Sequence, residues 1–207
     1  MHIFLIFQRN TVTLHFFKMI KFYCILFISS FAFANTFAID LSARRQAVKT
    51  TLLSWYTGSC KVSYERAVFS NQTMEITAGY IGVGHDKFKN HPEGYTARYA
   101  HKFILFGNDI QPLNGFFLRP ELIYTFFHFD TKIDRERMQS KMGSMVFTVG
   151  YQYAVHRLIA DFFIGSGYAF GKEADTNYQH GFALWDYPGG DKKIISMTFG
   201  IKVGVSF

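Results

Sequence analysis

From Ile194 to Phe207 apolar and polar residues alternate without a break. Ile195, Met197, Phe199, Ile201, Val203, Val205 and Phe207 share one side, and Ser196, Thr198, Gly200, Lys202, Gly204 and Ser206 the other. Successive side chains of a strand point to opposite faces, so a period of two predicts a strand with one apolar stripe and one small, polar stripe. The run is 14 residues long, against the ~5–6 usual in soluble strands and the roughly 9–11 that a tilted strand needs to cross hydrocarbon.

Seven other segments carry the same period. They are Ala47 to Tyr56, Ser59 to Val68, Thr73 to Val83, Tyr95 to Leu105, Phe116 to Phe129, Ser144 to Val155 and Leu158 to Phe170. In Ser144 to Val155 the stripe is Met145, Phe147, Val149, Tyr151, Tyr153 and Val155, and only Val146 interrupts the polar side. In Phe116 to Phe129 the stripe contains Pro120, whose missing N–H predicts a local bulge. No amphipathic helix of useful length is found. The pattern predicts an all-β fold: an eight-stranded antiparallel up-and-down transmembrane β-barrel. An even strand number suits a bacterial outer-membrane barrel. With the amino terminus on the periplasmic side, the outer loops are Tyr56 to Gly58, His85 to Gly94, Thr131 to Lys141 and Gly171 to Lys193. The inner connections are Ser70 to Gln72, Phe106 to Asn114 and the tight turn at His156 and Arg157. Long outer and short inner loops are the barrel pattern, and the first outer loop and the Phe106 to Gly115 connection depart from it.

If the apolar stripes face lipid, then Lys49, Lys61, Glu65, Glu75, Arg98, Lys102, Arg119, Glu121, Asp161 and Lys202 face inward. Eight strands enclose a space that side chains fill, so these charges are expected to pair across the lumen and not to line a wide pore. Lys61, Glu65, Arg98, Arg119, Glu121 and Lys202 are the expected central network. Periodicity leaves one alternative, a lipocalin-type barrel with apolar residues inside and charges outside. The aromatic stripes, the strand lengths and the terminal Phe207 favour the membrane.

The amino terminus reads as an address. Met19, Ile20 and Lys21 precede an apolar run from Phe22 to Phe33, too short to span a membrane, and Ala32, Phe33 and Ala34 form a cleavage pattern, with Thr36, Phe37 and Ala38 as a second. Residues 1–34 are expected to form an extension and signal peptide, leaving 35–207 as the barrel domain. Their removal takes away Arg9, Lys18 and Lys21 and lowers the formal charge from +7 to +4. The remaining Lys and Arg are interleaved with carboxylates, which argues against a nucleic-acid footprint. Cys24 leaves with the signal, so Cys60 stands without a disulfide partner.

Several stretches resemble a known family. These are Leu52, Leu53 and Ser54 leading to Thr57, Gly58 and Ser59; Val62 to Ala67; Gly79 to Gly82; Asn114 to Glu121; and the closing Gly200 to Phe207. They resemble the small outer-membrane β-barrels of OmpA and OmpX shape, above all an uncharacterised group from Gram-negative bacteria. The resemblance implies a periplasmic amino terminus and an assembly signal at Phe207 read by the barrel insertion machinery. It implies no reaction, and fold alone would not supply one.

Candidate chemistry is sparse. Lipid A deacylase barrels resemble this chain in size and use a His and a Ser two residues apart, but none of the eight histidines has Ser at that position. His128 beside Asp130 is the one candidate base, without a nucleophile. His85, Asp86, His91 and Glu93 share one loop and Asp175, His180 and Asp186 another, in spacings that match no closed metal site. Asn71, Gln72 and Thr73 match a glycosylation acceptor that a turn explains as well. The last outer loop holds Tyr178, Phe182, Trp185 and Tyr187, a set suited either to contacting a partner or to folding back on the mouth and the headgroup layer. The expectation is a monomeric protein of the outer membrane without catalytic residue, metal or cofactor, in contact with outer-membrane lipid. Its expected role is structural, adhesive or in envelope maintenance, with a lipid A-modifying enzyme or a narrow gated channel as alternatives.

Overall fold

The computed structural model describes residues 44–85, 90–108, 111–131, 136–172, 176–186 and 194–207. The signal-like segment 1–34 lies outside them. The chain forms β1 (Gln46–Thr51), α1 (Leu52–Tyr56), β2 (Ser59–Phe69), β3 (Gln72–Ile81), β4 (Glu93–Asn108), β5 (Gln111–Asp130), β6 (Arg137–Val155), β7 (Leu158–Lys172), β8 (Ala183–Trp185) and β9 (Ile195–Ser206). Each long strand pairs antiparallel with its neighbour in sequence, β7 pairs with β9, and β9 returns to β1, so the sheet closes. The wall therefore has eight strands, β1 to β7 and β9, and the short β8 adds to the edge of β9.

Burial follows the alternation in the sense opposite to that of a soluble protein. On β2, Ser59, Lys61, Ser63, Glu65 and Ala67 are buried while Val62, Tyr64 and Val68 are exposed. The same holds on β6, where Ser144, Thr148 and Gln152 are buried and Phe147, Tyr151 and Tyr153 exposed. Polar residues are ordinarily the exposed ones. This orientation rules out the lipocalin-type alternative, which needs apolar residues inside.

Four local expectations are corrected. The strand predicted over Ala47 to Tyr56 ends at Thr51, because the consecutive Leu52 and Leu53 break the period of two. A strand would send them to opposite faces, whereas on α1 both are exposed and Ser54 is buried. The long connection predicted between Phe106 and Asn114 is mostly strand, since β4 runs to Asn108 and β5 begins at Gln111. The outer loop predicted over Thr131 to Lys141 is shorter, because β6 starts at Arg137 and pairs it with Asp130. Pro120 causes no bulge: the β5–β6 register is unbroken there, and the β4–β5 register shifts elsewhere, at Leu105 of β4 and again between Gly107 and Asn108. The missing N–H costs a ladder bond without shifting the register.

The turns at the end carrying both termini are tight. Phe69 pairs with Gln72 across Ser70 and Asn71, and Val155 pairs with Leu158 across His156 and Arg157, with His156 at φ 54°. A positive φ at the first central residue matches the twist of a two-residue hairpin. Phe207 exchanges backbone hydrogen bonds with Gln46, its N–H donating to Gln46 O at 2.9 Å and its carbonyl accepting from Gln46 N at 3.1 Å.

Candidate functional site

The lumen is filled in three layers, and its middle is ionic. Glu65 and Glu75 stand directly opposite each other on β2 and β3, an unfavourable like-charge pair. The Lys49 ammonium answers it, donating to Glu65 Oε2 at 2.6 Å, Glu75 Oε2 at 2.5 Å and Asp161 Oδ2 at 2.7 Å. Lys102 lies 2.8 Å from Glu65 Oε1 and donates to Gln152 Oε1 at 2.6 Å, and Gln152 donates back to Glu65 at 3.0 Å. Lys202 donates to Glu75, and Thr73 to Glu65. On the adjoining wall Arg119 Nε and Thr148 Oγ1 donate to Glu121 Oε1 at 2.6 and 2.7 Å, and Arg98 Nη1 donates to Glu121 Oε2 at 2.8 Å. The cations also lie over aromatic faces, Lys102 Nζ 4.5 Å from the Phe117 centroid and the Arg119 guanidinium 4.6 Å from that of Phe163. Room for the Phe163 ring comes from Gly200, where a Cβ would stand 2.8 Å from it.

Of the six residues expected at the centre, Glu65, Arg98, Arg119, Glu121 and Lys202 join this network. Lys61 does not: it is buried, yet makes no ion pair among the described residues. Conversely Lys49, Glu75, Lys102 and Asp161, expected on the inward face but not in the central set, are the hub, joined by Gln152 from the polar side of β6. Glu65, Glu75 and Asp161 lie close enough together to hold a metal ion. The ammonium of Lys49 already bonds one oxygen of each and supplies the positive charge there.

Apolar clusters flank the ionic layer. Ala47, Leu113 and Ile159 seal the end with the termini. At the far end Ile123, Met142, Val146 and Ala169 of the wall receive Phe182 and Leu184 from the last loop. Val146, the one apolar residue on the polar side of its strand, thus has a partner 36 residues away in sequence. The loop segment 176–186 is a lid inside the mouth. Ser140 Oγ donates to Gln179 Oε1 at 2.7 Å, Arg98 Nη2 to Gly181 O at 2.9 Å and Thr198 Oγ1 to Gly181 O at 3.2 Å, while the Thr57 and Tyr178 hydroxyls are 2.8 Å apart. His180 is buried edge-on against Phe127, with centroids 4.9 Å apart. Burial, and then the nearby Lys61, lower its pKa from 6.5 to about 3, so the imidazole is neutral.

Of the four aromatics expected as contact residues, Phe182 is buried inside, Tyr178 is partly buried at the lid, Trp185 is exposed and Tyr187 lies outside the described residues. The metal and base candidates do not converge. His85 stacks on Tyr56, His91 Nδ1 lies 3.2 Å from Asp130, and Glu93 pairs with Arg137 at 2.8 Å. Asp86 and Asp175 lie outside the described residues, and Asp186 is exposed at the end of the lid segment. His128 meets the Gln139 amide at 2.9 Å, while Asp130 turns to His91 and Arg137. Asn71 sits in a turn, and Thr73 is buried in the lumen.

The fold defines the class: a closed eight-stranded antiparallel barrel with an ion-paired lumen. The chain belongs to the family described as protein of unknown function (DUF3575), which matches residues 26–203. Among solved structures it is similar to the N-terminal β-barrel domain of Pseudomonas aeruginosa OprF, with 14% identity over 78% of this chain and 94% of that one and a TM-score of 0.47. It is also similar to Neisserial surface protein A, NspA, with 13% identity, 78% and 92% coverage and a TM-score of 0.41. The comparison with curated proteins finds no match.

Proposed function

We propose that this protein is an exported, monomeric barrel of the Gram-negative outer membrane that serves the envelope as a structural, non-conducting element. The observation that carries the reading is the pairing of an exposed apolar stripe on the wall with a charged interior sealed at mid-height. Phe147, Phe162, Ile164, Tyr168 and Phe199 are each half exposed or more, a surface unfavourable in water and suited to acyl chains. Strands of 10 to 20 residues in β2 to β7 and β9 are long enough to cross. On this reading the wall's partner is outer-membrane lipid, and Phe207 is the signal for the insertion machinery.

Membrane fractionation with heat-modifiable gel mobility tests the location. The protein is expected in the outer-membrane fraction, migrating differently before and after boiling, and recovery in the soluble fraction overturns the reading. Planar bilayers test the closed lumen: conductance steps from purified protein would exclude a sealed barrel.

A further inference from the structure

Among the described residues, strand pairing in the wall is interrupted beside β1. The β1–β9 ladder stops at Thr51 and Lys202, and β8 covers the same edge of β9 only at Ile195 to Met197. Residues 198–201 of β9 thus have no strand partner on that side. On the facing strand β2, pairing with β1 begins only at Val62. The chain that would have continued β1 coils instead into α1, which packs against both β2 and β9 at the gap.

A cavity of about 230 Å³ lies at this gap. It is lined by Lys61, Thr198 and Lys202, which face in, and also by Leu53, Met197 and Phe199, which face out. Phe199 is 69% exposed on the outer surface. The cavity thus borders both faces of the wall at the gap, with the lid residues Gly181 to Ala183 along it.

Its charge is one-sided. Among the described residues, the lining carries three cations, Lys61, Arg98 and Lys202, and no carboxylate. Arg98 is held by Glu121 and Lys202 by Glu75. Lys61, 6% exposed, makes no ion pair among the described residues. Among the described residues, the buried interior holds six cations against four carboxylates. A buried cation without a counter-charge is costly, and an anion placed beside Lys61 relieves that cost.

We propose that this opening is a lateral port that takes the anionic headgroup of a membrane amphiphile, a carboxylate or a phosphate. The headgroup sits against Lys61 with Arg98 and Lys202 behind it, while the acyl chain leaves past Leu53, Met197 and Phe199 into the bilayer. The cavity is too small for a whole lipid, since pockets that enclose drug-sized ligands run to about 300–1,000 Å³. The port rests on the membrane reading above.

The chain's two tryptophans report on it, Trp55 on α1 and Trp185 on β8, the elements bordering the gap. Full-length protein folded in uncharged maltoside micelles is titrated with dibrominated stearate, its methyl ester, brominated phosphatidic acid and inorganic phosphate, and tryptophan quenching or displacement of bound stearate is recorded. Saturable quenching by stearate is expected, with the ester at least about tenfold weaker for want of a charge. The relative affinities of stearate and phosphatidic acid identify the headgroup. Lys61→Met is expected to weaken binding about tenfold. At the exposed rim, where folding is not at risk, Leu53→Glu should weaken binding and Leu53→Lys strengthen it. Equal quenching by acid and ester, inorganic phosphate binding as tightly as the amphiphiles, or the same affinity in both Leu53 variants would each overturn the port. A protein that folds and stays monodisperse without detergent overturns the membrane reading instead.

Discussion

At mid-height the barrel is filled by side chains of its own strands, with Lys49, Lys102, Arg119 and Lys202 knitted to Glu65, Glu75, Glu121 and Asp161. At the far mouth it is filled by a borrowed segment, with Phe182 and Leu184 of the lid set among Ile123, Met142 and Val146. The two plugs fill the lumen by different physics. In the ionic layer each charge has been desolvated and depends on its partners, so removing one strands the others. The lid docks through apolar contact and a few hydrogen bonds, one of them from the Arg98 guanidinium, and its undocking exposes groups that water can satisfy. The strand-borne layer is therefore part of the folding unit, whereas the lid can open locally with the wall intact.

Breaking the ionic layer is expected to have the largest effect. Lys49→Met leaves three buried carboxylates without their shared ammonium and should cost about 3–5 kcal/mol of global stability. Urea titration followed by heat-modifiable mobility measures it, and a midpoint equal to that of the parent would remove Lys49 from its place as hub. Next comes Phe182→Ala, which should weaken lid docking by about 3 kcal/mol while sparing the wall. Limited proteolysis should then cut within 176–186 while the remaining barrel keeps its folded mobility. Loss of that mobility together with the lid would mean that the two plugs form a single unit.

Acid sharpens the contrast. His180 titrates at about 3 when docked and near 6.5 when free, so above pH 6.5 both forms are neutral and docking is at full strength. As the pH falls below 6.5 the free lid takes up the proton first, and docking weakens progressively down to about pH 3. At pH 5 the loss is about 2 kcal/mol. Protease susceptibility of the lid should therefore rise from pH 7.5 to pH 5 and become flat with pH in His180→Gln, and a parent profile without slope would contradict the burial of that imidazole. The smallest effect is expected from Thr57→Val, which removes the hydroxyl pair with Tyr178 and should loosen the lid by about 1 kcal/mol, read from the same proteolysis rates.

How far this was legible in the sequence varies by region. The wall was, because a strand's two faces are set by a period of two that does not depend on neighbours, and so all ten charged residues could be placed on one shared face; that this face is the inner one was favoured by the aromatic stripes, the strand lengths and Phe207, and shown by burial. Which inward charges meet could not, since Lys49 reaches Asp161 across 112 residues through a register that no local pattern specifies. Lys61 illustrates the limit: it has the same residue type and face as its neighbours, yet it ends beside a gap and not beside a carboxylate. Leu52 and Leu53 carried a local signal for the end of β1, two apolar residues in succession, which the expected strand ran past.

What the sequence determined by itself was the alternation, and with it the strands and the single face that carries the charges. Only closure of the sheet decided that Val146 would meet Phe182, that three carboxylates would share one lysine, and that a short β1 would leave a port in the wall. Those outcomes depend on which strand lies across the lumen from which, and a six-residue β1 beside a twelve-residue β9 becomes an opening only when the two are paired.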